Sequence, residues 1–149
     1  MIEYMELNYK KLGSGRPMVI LHGLFGSLDN WMTLGRRFAE THEVYLVDQR
    51  NHGRSGHSGV HSYEAMSDDL LEFFNNHELE EVVLIGHSMG GKTAMHFAMD
   101  NPGRVSKLVV IDIGPLGYEV QHDHIIRSMQ SIDLNDISSR KEAEEHLST

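Results

Sequence analysis

Residues 86–90 read Gly-His-Ser-Met-Gly. A serine hydroxyl is a weak nucleophile until a base takes its proton and its oxygen stands exposed. A sharp strand-to-helix turn meets the second need, and it crowds the positions two residues away so that a side chain does not fit there. Gly86 and Gly90 occupy those positions around Ser88. The apolar run Val82–Ile85 before the turn reads as a buried strand. Residues 89–100 after it read as a helix, closed by Asn101-Pro102-Gly103. Ser88 is therefore the expected nucleophile of an acyl-transfer site. Ser55 and Ser58 sit in the polar loop QRNHGRSGHSG without such a frame and read as solvated.

Attack on a carbonyl builds negative charge on its oxygen, and two backbone N–H donors aimed at one point stabilise it. The residue after the nucleophile, Met89, supplies one at the helix start. The other is expected from the loop after an earlier strand, His22-Gly23-Leu24-Phe25-Gly26-Ser27, at Leu24 or alternatively Phe25. Gly23 and Gly26 let that loop turn tightly, and His22 is expected to orient it by hydrogen bonding rather than to act as base. A triad also needs a carboxylate to hold the base in its useful tautomer. Asp112 ends the strand after the elbow unit and so satisfies the order serine, acid, histidine; Asp48 precedes the serine and does not. Only His122, His124 and His146 follow Asp112, all in a polar, helix-leaning stretch, and they read as surface histidines. The triad histidine is thus absent from the chain. His87 adjoins the serine, which is expected to turn its ring elsewhere. His122-Asp123-His124 lacks a third ligand at sensible spacing, so no metal site is expected.

The elements that must position these residues follow from periodicity. Residues 2–12 alternate and read as one or two short strands; Met18–Leu21, Val44–Val47, Val82–Ile85 and Val105–Ile111 are buried-strand runs. Residues 27–41 read as a helix capped by Ser27 or Asp29, with Trp31, Leu34 and Phe38 inward. Tyr63–His77 reads as a second helix, with Met66, Leu70, Phe73 and Phe74 inward. Short buried strands alternating with amphipathic helices imply an α/β architecture with a doubly wound, mostly parallel sheet. Ligands of such sheets sit beyond the carboxyl ends of the strands, where His22, Asp48, Ser88 and Asp112 all fall. Residues 1–114 form the core on this reading, and 115–149 are an excursion from it.

Composition bounds the function. Of 149 residues, 22 are acidic and 13 basic, a formal net charge of -9, which argues against a nucleic-acid partner and gives no attraction to anionic membranes. No cysteine is present, which removes disulfides, thiolate metal sites and cysteine nucleophiles, and fits a cytoplasmic protein. The N-terminal MIEYMELNYKK has neither the apolar core of a signal peptide nor the length of a membrane span.

The stretches HGLFGSLDNW at 22–31, VDQRNHGRS at 47–55, GHSMGGKTAM at 86–95 and VVIDIGP at 109–115 resemble the YbfF-type esterases of the α/β-hydrolase superfamily. The HG and GxSxG elements are general to the superfamily, whereas the NHG insert, Lys92 and DIGP are more specific. The resemblance implies Ser88 as nucleophile and Asp112 as acid. It implies that 115–149 begin an incomplete helical cap, and that members of the group continue through further strand-helix units to a loop bearing the histidine. The chain then reads as the truncated N-terminal part of an esterase or thioesterase acting through an acyl-enzyme. Leu24, Phe25 and Met89 would line its acyl pocket, the ligand would be a small acyl ester or thioester, and no cofactor is implied. Carbon–carbon bond hydrolysis and perhydrolysis are alternative uses of the same fold. From another class comes a catalytically incompetent half that self-associates or needs a complementing C-terminal half.

Overall fold

The computed structural model describes residues 4–116, 123–133 and 135–147. The chain divides into two compact units, Met1–Pro115 and Leu116–Thr149.

The first unit is built on five strands: β1 (Tyr9–Leu12), β2 (Arg16–Leu21), β3 (His42–Val47), β4 (Val82–His87) and β5 (Val105–Ile111). Their spatial order is β1-β3-β2-β4-β5, with β1 antiparallel to β3 and all other pairings parallel. Three helices complete it, α1 (Met32–Phe38), α2 (Tyr63–Asn76) and α3 (Met89–Asp100). Because side chains alternate across a strand, the apolar runs serve two cores at once. Val19, Leu21, Tyr45, Val47 and Leu84 pack with Leu70, Phe73 and Phe74 of α2 and Ala94 and Phe97 of α3. Met18, Ile20, Val44, Leu46, Val83 and Ile85 pack on the opposite face with Leu28, Trp31, Met32 and Phe38. Covering a sheet on both faces is what defines the doubly wound architecture.

Of the one or two short strands expected within 2–12, one forms among the described residues, Tyr9–Leu12. The segment before it spends its N–H groups on side chains, Met5 to Asp69 Oδ1 and Asn8 to Ser55 Oγ, both at 2.8 Å. The helix expected over 27–41 is a 3₁₀ turn, Leu28–Trp31, followed by the shorter α1. The tighter 3₁₀ winding rotates the face that follows. Gly35, not Leu34, therefore meets Leu46, and Leu34 is left exposed. Ser55 is not solvated: it is buried, donates to the Asp48 carbonyl at 2.6 Å and accepts the Asn8 N–H. Ser58 is half-buried, and its N–H donates to Asn51 Oδ1 at 2.7 Å.

The second unit holds α4 (Asp123–Gln130) and α5 (Arg140–Leu147). The start of α5 is fastened by the Ser138 N–H donating to Glu142 Oε2 at 2.8 Å. No helix among the described residues is long and apolar enough to cross a membrane.

Candidate active site

Ser88 occupies the turn between β4 and α3 at φ 50°, ψ -117°. Few L-residues take such a conformation, because Cβ crowds the backbone, and it persists only where surrounding packing enforces it. The enforcement is visible on both sides. A Cβ on Gly86 would run into the Gly90 carbonyl, and one on Gly90 would stand 2.5 Å from the His22 carbonyl oxygen and 2.7 Å from that of Leu21. The helix start is thus pressed onto the ends of β4 and β2. The Ser88 N–H donates to the Ile111 carbonyl at 3.0 Å, which ties the turn to the end of β5.

Phe25, Asn51 and Asp112 also hold positive φ, at 61°, 64° and 57°. With Ser88 they lie on the loops beyond the carboxyl ends of β2, β3, β4 and β5, the sheet edge where a ligand would sit; Glu78 and Glu81, at φ 53° and 45°, lie before β4 at the other end.

The loop after β2 closes on the nucleophile: a Cβ on Gly23 would lie 3.3 Å from Ser88 Cβ and 2.8 Å from His87 Nδ1. Of the two candidate donors there, the Phe25 N–H is engaged, donating to His52 Nε2 at 3.3 Å. Among the described residues, the N–H groups of Leu24 and Met89 donate to no protein group. His22 is fully buried; its Nδ1–H donates to the Gly23 carbonyl at 2.8 Å and its Nε2 accepts the Gln49 N–H at 3.1 Å. Burial holds its pKa below the ordinary imidazole value, and with both nitrogens committed it orients the loop.

Asp112 follows β5 directly, its carboxylate open to solvent and its Oδ2 3.9 Å from His87 Nε2. His87 does not simply turn away. Its ring lies 6.5 Å from that of Trp31 and joins Gly23, Leu24, Phe25, Asn30, Trp31 and Leu34 around a cavity of about 430 Å³. Met89 is buried and stands outside that lining. Trp31 and Leu34 were legible only as an apolar helix face, and it took the displaced α1 to turn them to a pocket wall.

Asp48 is buried, and its carboxylate accepts the Leu28 N–H and an Asn8 Nδ2–H at 2.7 Å and the Arg54 N–H at 3.0 Å. It joins β3 to the loop after β2. Arg50 and Asp69 form a buried two-pronged ion pair, at 2.6 and 2.7 Å, which fastens the loop after β3 to α2. His122 and the side chains of His124 and His146 lie outside the described residues. Among the described residues, no cluster of three or more His, Asp or Glu is placed to hold a metal ion.

A mostly parallel sheet wound on both faces, with a strained serine between the third parallel strand and its helix, is the arrangement of the α/β-hydrolase class. The chain belongs to that family: its model, described as alpha/beta hydrolase fold, matches residues 16–139. More particularly, the chain is 41% identical over 128 residues to Esterase YbfF of Escherichia coli (strain K12), covering 85% of this chain and 50% of that protein. It is 43% identical over 157 residues to the sn-1-specific diacylglycerol lipase ABHD11 of Mus musculus, covering 97% of this chain and 51% of that protein. A solved structure of a marine microorganism esterase superposes with a TM-score of 0.91 at 48% identity, over 97% of this chain and 58% of that chain. The chain spans about half the length of the curated relatives it matches.

Proposed function

We propose that the chain carries the nucleophile half of a serine hydrolase acting on carboxylic esters or acyl thioesters. The observation that carries the reading is the strained Ser88 turn, with φ 50° enforced by the packing of Gly86 and Gly90. Ser88 Oγ attacks the acyl carbonyl while a base takes its proton. The carbonyl oxygen becomes an oxyanion facing the Leu24 and Met89 N–H groups. The intermediate collapses to a Ser88 ester, and the alcohol or thiol leaves with the proton. Water then attacks the ester, the base taking its proton; the carboxylic acid leaves and the proton returns to Ser88 Oγ. His22 and His52 are committed to hydrogen bonds with the loops, and the base is taken to be a histidine that Asp112 orients. The names of the relatives, esterase and lipase, support the same substrate class. The apolar pocket beside Leu24 and Trp31 suits an acyl chain, and residues 115–149 read as the beginning of a cap.

The test is covalent. A fluorophosphonate probe is incubated with the whole reading frame that contains this chain, and the labelled peptide is mapped. Labelling at Ser88 that disappears in Ser88→Ala is expected; labelling that survives Ser88→Ala overturns the proposal.

A second reading, a domain inactive until completed, is favoured by the coverage of about half of each relative. Triad members act as a unit, and without one only roughly 10³–10⁴-fold acceleration over water remains. The 149-residue chain alone should hydrolyse p-nitrophenyl butyrate far more slowly than ordinary esterases. A turnover of about 1–10³ per second would show that it supplies its own base.

A further inference from the structure

The loop carrying the proposed oxyanion donor is held by the loop after β3 at three places, spaced every third residue. At the first, Gln49 donates its N–H to His22 Nε2 and its Nε2–H to the His22 carbonyl, at 3.1 and 2.7 Å. At the last, Asp48 Oδ1 accepts the Leu28 N–H at 2.7 Å. The middle one is the Phe25 N–H on His52 Nε2. Leu24 lies between the first and the middle fastening, and its N–H shares a peptide unit with the Gly23 carbonyl, which accepts the His22 Nδ1–H at 2.8 Å and the Gly26 N–H at 3.0 Å, so its direction follows from how His22 and the Phe25–Gly26 turn are held.

His52 is built as a fixed post. It is 9% exposed, and its Nδ1–H donates to the Arg50 carbonyl at 2.9 Å, which leaves Nε2 as a lone-pair acceptor. Its own backbone is tied on both sides, N–H to the Gln49 carbonyl and carbonyl to the Ser55 N–H, each at 3.1 Å. The loop around it is locked through Asp48, Ser55 and Asn51. The residue it holds, Phe25, is a bulky side chain at φ 61°, a conformation that relaxes unless something restrains it. A histidine serving only to fill the core would not need an oriented Nε2 aimed at a strained backbone N–H.

We propose that His52 is the positioning residue of the oxyanion loop: by accepting the Phe25 N–H it removes that donor from the hole and turns the Leu24 N–H toward the nucleophile. The role rests on the hydrolase reading above. It requires the neutral imidazole, because a protonated ring presents a donor to a donor. The titratable and charged groups that face it are the His22 ring at 5.1 Å, the His61 ring at 5.9 Å and Arg50, whose guanidinium pairs with Asp69.

Two variants separate positioning from packing. His52→Gln keeps an acceptor near the Nε2 position and cannot be protonated; His52→Leu fills space without an acceptor. In ¹⁵N-labelled protein, the Phe25 amide should exchange with solvent at least about 10-fold slower in the parent and in His52→Gln than in His52→Leu. On acidification that protection should fade in the parent and persist in His52→Gln. With p-nitrophenyl butyrate and the whole reading frame, His52→Leu should lower kcat roughly 10–100-fold at nearly constant KM, and His52→Gln should recover most of it. A Phe25 amide that exchanges freely in the parent overturns the proposal, as does a His52→Leu enzyme with unchanged kcat. Should His52→Leu fail to fold, the acidification series on the parent and His52→Gln decides. If nothing turns over and Ser88 takes no label, the hydrolase reading fails, while the Phe25 amide still reports whether His52 holds the loop.

Discussion

His22 shows how one side chain can be committed by its surroundings. Burial strips the ring of water and disfavours its charged form, which outweighs the opposing pull of the Gly23 carbonyl, and its pKa lies below the ordinary value. Burial lowers His61 and His77 in the same direction, less consequentially because water screens them. The unfolded chain takes up protons near the ordinary imidazole value of about 6.5, whereas these folded imidazoles resist. Below that pH the unfolded state binds more protons than the folded one, so stability is full above about 6.5 and falls as pH drops from there toward the depressed folded values. The slope is at most about 1.4 kcal/mol per pH unit for each site kept neutral. Thermal unfolding followed by circular dichroism should give a lower Tm at pH 5.5 than at pH 7.5. An unchanged Tm would mean that His22 takes up its proton without disturbing the loop.

At the scale of elements, the site is a junction of β2, β4, β5 and α3 rather than a property of any one of them. Gly86 pairs with Leu21 on one side and Val110 on the other, while its missing Cβ lets the first turn of α3 settle against β4. A methyl group there meets the Gly90 carbonyl, backbone that cannot rotate away. Gly86→Ala is therefore expected to cost about 3 kcal/mol or more, by overpacking. Gly103 has nothing within 4 Å of its notional Cβ, and Gly103→Ala should stay within about 0.5 kcal/mol of the parent. Urea unfolding of the two variants reads the difference directly; equal midpoints would show that the elbow relaxes more easily than its contacts imply.

Across the whole molecule, the sheet ends at β5, paired with β4 on one side and with no strand on the other among the described residues. Leu108, Val109 and Ile111 on it are 39%, 41% and 37% exposed, although the run reads as a strand covered on both faces. An apolar edge with open N–H and C=O groups is a template for another strand. Covering it recovers about 25 cal/mol per Å² of apolar surface. The net charge of -9 opposes association only over the roughly 8 Å that salt leaves unscreened at physiological strength. The 149-residue chain should therefore self-associate with rising concentration in size-exclusion light scattering. Val109→Lys should shift it toward monomer. A parent that stays monomeric at high concentration would show that β5 is tolerated as a bare edge.

Patterns that repeat over a few residues were sufficient for much of this protein. The apolar runs located four of the five strands, Met66, Leu70, Phe73 and Phe74 marked the buried face of α2, and the glycines around Ser88 marked the elbow, because each depends on neighbours two to four positions away. Only the tertiary structure decided what the loops do. Its strand order brings the end of β3 beside the end of β2, and that adjacency buries Asp48 and Ser55 and places Nε2 of His52 under the Phe25 N–H. The shortened α1 likewise turned Trp31 and Leu34 from a helix stripe into a pocket wall. A polar loop residue carries no periodic signature of its partner. The partner lies on another strand, and the pairing comes into existence only when the sheet assembles.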